Sequence, residues 1–195
     1  MTDTPLDPLD LLRRYYRPGT RTYEILTVHS ELVARKALEL ADRIPDHRPD
    51  RRFLWEAAML HDIGILHTHS PEIGCHGEHP YLMHGCLGRE MLEAEGLPRH
   101  ALVCERHTGV GLTREDIRRQ GLPLPDRDMV PVSLEEQIIC FADCFFSKNP
   151  KRFRSERPLE KVRKSARKWG GEKQDVLENW VRLFRLDGHS GGGKK

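Results

Sequence analysis

Long apolar runs are missing from this 195-residue sequence. None approaches the roughly 18 residues that cross a bilayer, so no membrane partner is expected. The first ten residues, Met1 to Asp10, are acidic and contain proline, without the basic and apolar regions of a secretory signal. A disulfide framework is missing too. Five cysteines (Cys75, Cys86, Cys104, Cys140 and Cys144) are an odd number and fit reduced thiols. These absences predict a cytoplasmic protein. Strict apolar–polar alternation is also absent, which leaves helices to build the fold. Hydrophobic residues are only 37% of the chain and charged ones 32%, yet a chain of this length still buries a real core. One domain spanning 1–195 is expected.

Net charge is also small, at +2, but it is unevenly spread. From Lys148 to Lys173 there are eleven basic residues against three acidic ones. That stretch reads as a surface for phosphate or nucleic acid, or as a solvated helix face with scattered ion pairs. Histidine is what the sequence has in excess. There are eleven, and six of them fall from His61 to His84. Imidazole in such number points to metal.

Apolar residues recur at three- and four-residue spacing through most of the chain. A short helix is expected near Pro5 to Tyr16, and a long one from about Thr22 to Ile44, carried by Ile25, Leu26, Val33, Ala37 and Leu40 and ended by Pro45. Further helices are expected at about Arg51 to Asp62, Tyr81 to Glu95, Pro98 to His107, Leu134 to Lys148, Leu159 to Lys168 and Lys173 to Leu186. One helical turn is expected near Thr113 to Arg119. Leu66 to Pro80 reads as a loop too polar for core. The Gly/Lys-rich end, 188–195, reads as a disordered tail.

Three separate places carry residues that need an explanation. His61-Asp62 closes a helix, with Gly64 beyond it allowing a sharp exit. His29 lies on the core-facing stripe of Ile25, Val33 and Ala37, where it is either a histidine satisfied by a backbone carbonyl or a ligand. Asp143 sits in Gln137 to Phe146, about the most apolar stretch of the chain, where an unpaired carboxylate carries a large desolvation cost. His84, among the small residues Gly85, Cys86 and Gly88, and His107, at a helix end, complete an ordered set.

That set, His29, His61-Asp62, His84, His107 and Asp143, resembles the HD superfamily of metal-dependent phosphohydrolases. His61-Asp62-Ile63-Gly64 matches its HDIG variant letter for letter. The spacing and the segment Arg106 to Gly109 resemble a group of small HDIG proteins of bacteria and archaea. The resemblance covers residues 22–148. It implies an all-α HD-domain helical bundle, with a metal-binding core at 20–150 and a basic helical extension at 151–187. It further implies that His29, His61, Asp62 and Asp143 hold one metal. His84 and His107 would add a second, with Asp62 bridging and His61 and Asp62 at the catalytic centre. Two divalent ions are therefore expected, of Fe, Mn, Zn, Co or Ni. Two such ions about 3.5–4 Å apart would share a hydroxide that attacks a phosphate ester or anhydride. The implied substrate is a phosphorylated small molecule, in the first place a nucleotide.

Departures from the family pattern matter. Where many HDIG proteins carry a lysine after the motif to hold phosphate, this chain has Ile65. Lys148 and Arg106 are the candidate replacements. The GYP signature of cyclic di-GMP phosphodiesterases is absent. Symmetrical diadenosine tetraphosphate hydrolases show a similar ligand arrangement, and a few superfamily members run oxygenase chemistry at di-iron centres. The loop histidines His67, His69, His76 and His79, with Cys75, are read either as a zinc site or as a border of the active site, where His67 and His69 would contact substrate. A non-catalytic metal-containing module, binding a nucleotide or nucleic acid through Lys148 to Lys173, is the alternative function.

Overall fold

The computed structural model describes residues 6–187, so the expected tail at 188–195 lies outside the described residues. Helices run in the order α1 (Pro8–Tyr15), α2 (Arg21–Asp42), α3 (Arg51–Leu60), α4 (His84–Ala94), α5 (Pro98–Arg106), α6 (Arg114–Gln120), α7 (Leu134–Asp143), α8 (Leu159–Trp169) and α9 (Gly171–Leu183). The fold is an all-α bundle. Several starts are fixed by side-chain caps: Thr20, Asp50 and Ser133 accept from the amides of Tyr23, Phe53 and Glu136. Thr113 and Asp116 cap α6 reciprocally. Such caps satisfy amides that would otherwise lack partners, each worth about 1 kcal/mol. Among the described residues no helix is long and apolar enough to cross a membrane.

Two apolar clusters share the long helix α2. The larger joins Val33, Ala37 and Leu40 to Phe53 and Leu54 of α3 and to Ile138 and Phe141 of α7. Val162 and Ala166 of α8 and Trp180 of α9 bury into the same cluster, and Phe184, just past α9, stacks on Phe141 with ring centroids 5.5 Å apart. The smaller cluster gathers Leu11 and Leu12 of α1, Ile25 and Leu26 of α2, Ile63, Ile65, and Leu92 of α4. His29 lies between Leu26 of one cluster and Val33 of the other. The His61-Asp62 turn likewise sits between Ala58 and Ile63. The seam between the clusters is therefore where polar side chains converge.

Two stretches differ from expectation. Leu66 to Pro80 is not a solvated loop. His69–Ser70 (β1) pairs antiparallel with Cys75–His76 (β2), and Thr68, Ser70, Ile73 and Cys75 are buried. Inward and outward residues do alternate here, but the inward ones are small Thr, Ser and Cys side chains, so hydropathy did not reveal the period. The helix expected to reach Lys148 ends at Asp143. The amides of Cys144, Phe145 and Phe146 donate to Phe141, Ala142 and Asp143, three residues back, tightening the chain into turns. Phe145 and Phe146 stay buried without being helical.

Candidate metal centre

The seam brings together side chains from five places: His29 from α2, His61 and Asp62 from the end of α3, His84 from the start of α4, His107 just past α5, and Asp143 from the end of α7. All but Asp143 are almost wholly buried. Asp62 is the hub. Its Oδ2 lies 3.1 Å from His29 Nε2 and 3.0 Å from His61 Nε2. Its Oδ1 lies 3.3 Å from His84 Nε2 and 3.4 Å from His107 Nε2. Asp143 Oδ1 closes the first side, 3.0 Å from His29 Nε2 and 3.6 Å from His61 Nε2. One carboxylate thus faces a different pair of imidazoles with each oxygen.

Backbone carbonyls set the tautomers of three of these rings. The Nδ1 of His61, His84 and His107 lies 2.6, 2.7 and 2.7 Å from the carbonyl oxygens of Ala58, Tyr81 and Cys104, each three residues earlier. A carbonyl only accepts, so Nδ1 carries the proton and Nε2 turns a lone pair inward. His84 Nε2 and His107 Nε2 stand 3.0 Å apart. Two lone pairs at that distance repel unless a cation lies against them. His61 Nε2 and Asp62 Oδ1 have no hydrogen-bond partner among the described residues. The donor set therefore fits a divalent metal ion. His29, His61 and Asp143 form one group able to hold an ion and His61, Asp62 and His107 another, with ligand atoms within 4.8 Å of one another in each.

Electrostatics leads to the same conclusion. Burial lowers the His61 pKa, but Asp62 and Asp143 overcome it and hold it up at about 10, so without an ion a second proton occupies the Nε2 position that a metal would take. Burial likewise opposes ionisation of Asp62 and Asp143. His61 and Lys148 for the first, and hydrogen bonds from His29 and His61 for the second, hold both well below the usual carboxylate range. His84 is pushed down to about 3, chiefly by burial, and stays neutral. Two ionised, desolvated carboxylates call for positive charge in this volume, which Lys148 and His61 provide here and a bound divalent ion would provide in their place.

Gly64 serves a different purpose from the one its position suggested. Its φ is not positive. A Cβ there would meet the His84 carbonyl oxygen at 2.1 Å and the Gly88 amide at 2.3 Å. The HDIG glycine is required because α4 passes directly over it, and that approach carries His84 to Asp62. Tyr16 fixes the same turn from α1, donating to the Ile63 carbonyl at 2.5 Å and accepting from the Leu66 amide at 3.0 Å.

The remaining predicted residues divide. Lys148 swings back through the turns after α7 and places Nζ 2.5 Å from Asp62 Oδ2 and 3.3 Å from His29 Nε2. His69 joins it at the mouth, a cavity of about 430 Å³ also lined by Ser70, Tyr81, Ser147 and Asn149. Arg106 is not brought to the centre. Its guanidinium donates to Glu136, near the opposite end of α7, at 2.9 Å. His67 is exposed in its turn and does not line the mouth. Cys75, His76 and His79 form no ligand group among the described residues, because the β1–β2 pair buries Cys75 and turns His76 outward. Tyr81 is the residue sequence reasoning missed. It stacks on His84 at 4.8 Å between centroids and borders Lys148. Its position three residues before His84 was the available signal.

An all-helical bundle with a buried His/Asp cluster at its seam defines a class of metal-site helical proteins. Within that class, the HD domain model matches residues 27–146, more than half of the chain, and the chain belongs to that family. It is 35% identical over 121 residues to a tRNA (cytidine(56)-2'-O)-methyltransferase of Picrophilus torridus, covering 62% of this chain and 31% of that protein. It is 35% identical over 123 residues to an uncharacterized protein of Methanocaldococcus jannaschii, covering 62% and 65%. A tRNA (cytidine(56)-2'-O)-methyltransferase of Thermoplasma volcanium is 29% identical over 179 residues, covering 91% and 45%. The chain thus spans less than two thirds of the length of each of these relatives. No solved structure matches it.

Proposed function

We propose that this protein is a metal-dependent phosphohydrolase cleaving a phosphate ester or anhydride of a nucleotide or nucleotide-containing molecule. The observation that carries this reading is the Asp62 carboxylate, whose two oxygens face two separate sets of inward-aimed Nε2 atoms. His29, His61, Asp62 and Asp143 would hold one divalent ion, and Asp62, His84 and His107 a second. Imidazole with carboxylate suits Mn, Fe, Co, Ni or Zn. Ions so held supply Lewis-acid polarisation of a phosphoryl oxygen and a water acidic enough to attack at neutral pH.

The chain's own residues do the rest. The carbonyls of Ala58, Tyr81 and Cys104 keep three rings in the ligating tautomer and fixed in direction. Lys148, which rests against Asp62 beside the mouth cavity, would be free to offer its ammonium to substrate oxygens where a divalent ion is held by that carboxylate. His69 reaches the same mouth, and Tyr81 walls it. Residues 20–150 form the metal-bearing core in this reading, and 151–187 an extension docked on it. The two relatives named for tRNA methylation support substrates in which phosphate is joined to nucleoside. Buried, free cysteines support a cytoplasmic setting.

The test is metal quantification on anaerobically purified protein, followed by a screen of nucleotides and model esters with each of the five metals. Hydrolysis that disappears in His61→Ala is the expected result. Silence across the panel with every metal would sink the proposal. The unpaired lysines of α8 favour one second reading, a binding module without catalysis. It predicts nucleic-acid binding that survives His61→Ala in a protein that hydrolyses nothing.

A further inference from the structure

The basic stretch after Asp143 does not dissolve into ion pairs. Lys161, Lys164 and Lys168 fall three and four residues apart on α8, on one face, while Val162 and Ala166 turn into the core. These lysines, with Arg152 and Arg157 from the preceding turns, line a groove of about 530 Å³ together with Ser147, Ser155 and Ser165. The groove holds one carboxylate, Glu156, and Lys36 already neutralises it at 2.9 Å from outside. Arg157 is braced by the Cys144 and Lys161 carbonyls and by Ser165, and has no acidic partner among the described residues. Arg152, Lys161, Lys164 and Lys168 have no acidic partner among the described residues. Other basic residues nearby do pair: Arg154 with Glu24, and Arg163 with Glu160 and Glu178. Within the groove no cation has a salt-bridge partner among the described residues, and the same holds for Lys151 and Arg167 beside it.

Two neighbours say what such a row of cations suits. Ser147 lines both the groove and the cavity beside the metal centre, so the two are neighbours. Trp169, the residue after Lys168, is 42% exposed, and its indole borders a separate apolar pocket of about 240 Å³ with Leu82, Leu112 and Leu122, around the helix from the lysine face. It stands over Gly109, where a Cβ would lie 3.5 Å from the ring. Regularly spaced cations with an exposed aromatic ring at the end of the same helix are the parts of a single-strand binding track, in which phosphates follow the charges and a base stacks on the ring.

We propose that the α8 groove binds the phosphodiester backbone of a single-stranded oligonucleotide, with Trp169 stacking a base, and that it leads the strand to the metal centre. The binding stands on the groove's own geometry. The claim that the bound strand is substrate rests on the hydrolase reading above.

The test is fluorescence anisotropy of the full chain with a labelled 12-nucleotide single strand, as RNA and as DNA, against salt. The competitors are a matched duplex and inorganic polyphosphate. A log–log salt slope of about −3 is expected for four or five phosphate contacts at about −0.7 each. Lys161→Glu/Lys164→Glu/Lys168→Glu should cost at least about tenfold in affinity and flatten the slope by about 2. The neutral triple variant with glutamine keeps the interpretation free of reversed-charge repulsion and should lose affinity in the same direction. Trp169→Ala should weaken the single strand several-fold and leave polyphosphate unchanged. Binding insensitive to both triple variants would overturn the groove. Equal competition by polyphosphate, with no effect of Trp169→Ala, would overturn the nucleic-acid assignment. An RNA preference supports an RNA strand as the ligand, and a DNA preference a DNA strand. His61→Ala separates the two proposals: binding kept while hydrolysis is lost upholds both, and binding in a wild type that hydrolyses nothing removes only the hydrolase reading.

Discussion

At the seam of the two apolar clusters, Asp62 is fully buried, with its oxygens met by four imidazoles and Lys148. Along α8, Lys161, Lys164 and Lys168 stand in solvent, and none has a salt-bridge partner among the described residues. Both regions carry concentrated charge, and they differ in what water does there. In the seam, desolvation makes each unmatched charge expensive, so geometry is dictated atom by atom and the demand for a cation is strong. On α8, hydration keeps each charge cheap and individually weak, so only the sum of several acts, and salt screens it. A buried charge specifies a site, whereas an exposed row of charges selects a class of ligand.

The comparison can be broken most sharply at its hub. Asp62→Ala should empty both proposed metal positions and lower hydrolysis by about three orders of magnitude, since several kcal/mol of transition-state stabilisation depend on the ions. Metal content by elemental analysis and turnover on a model ester check this. His84→Ala should remove about half of the bound metal, because His29, His61 and Asp143 still face Oδ2. A single tightly held ion indifferent to His84 and His107 would reject the two-ion arrangement. Gly64→Ala replaces no ligand side chain, yet should destabilise the fold by about 3 kcal/mol or more and displace His84, because the His84 and Gly88 backbone lies where the methyl would go. In a chain of this size a melting point lower by roughly 10 °C would register it.

Smaller effects are expected where charge is paired between α6 and α9. Lys173 joins Asp116 at 2.6 Å and the Gly111 carbonyl at 2.8 Å, tying α9 to α6. Burial opposes the ionisation of Asp116, but hydrogen bonds from Lys173 and Thr113 prevail and hold its pKa at about 2. Its contribution is thus present above an ordinary carboxylate pKa of about 4 and fades as pH falls through about 2. Asp116→Asn should cost about 1–3 kcal/mol at pH 7 and flatten that part of the acid-unfolding curve, as followed by circular dichroism. At the bottom of the scale, the triple glutamine variant of α8 should change stability by less than about 0.5 kcal/mol in a denaturant titration. A large loss there would mean that the lysines belong to the fold and not to a binding surface.

Much of the bundle was legible. α2, α3 and α7 announced themselves through their apolar residues, with starts expected within one residue of those observed, while the caps Thr20, Asp50 and Ser133 were not read. His29 and Asp143 stood out because each is a polar side chain set among apolar ones, and His61-Asp62 because it ends a helix beside a glycine. The β1–β2 pair was hidden because its buried face is Thr, Ser and Cys. Arg106 looked like a phosphate ligand from its neighbour His107, but a helix end turns successive side chains in different directions, and Glu136 lay nearer. Tyr81 was overlooked because tyrosine carries no ligand signature.

What the amino-acid order determined by itself was the pattern: which residues are apolar at helical period, where helices begin, and which polar groups would be unaffordable in the core without a partner. Only the folded chain decided convergence. His29 and Asp143 are far apart in sequence and become neighbours because α2 packs on α7, and Lys148 reaches Asp62 because the apolar run after Asp143 buries Phe145 and Phe146 without continuing the helix. Periodicity is local and survives in one dimension. The distance between two charges depends on how helices cross, and that is set by the packing of side chains no single segment contains.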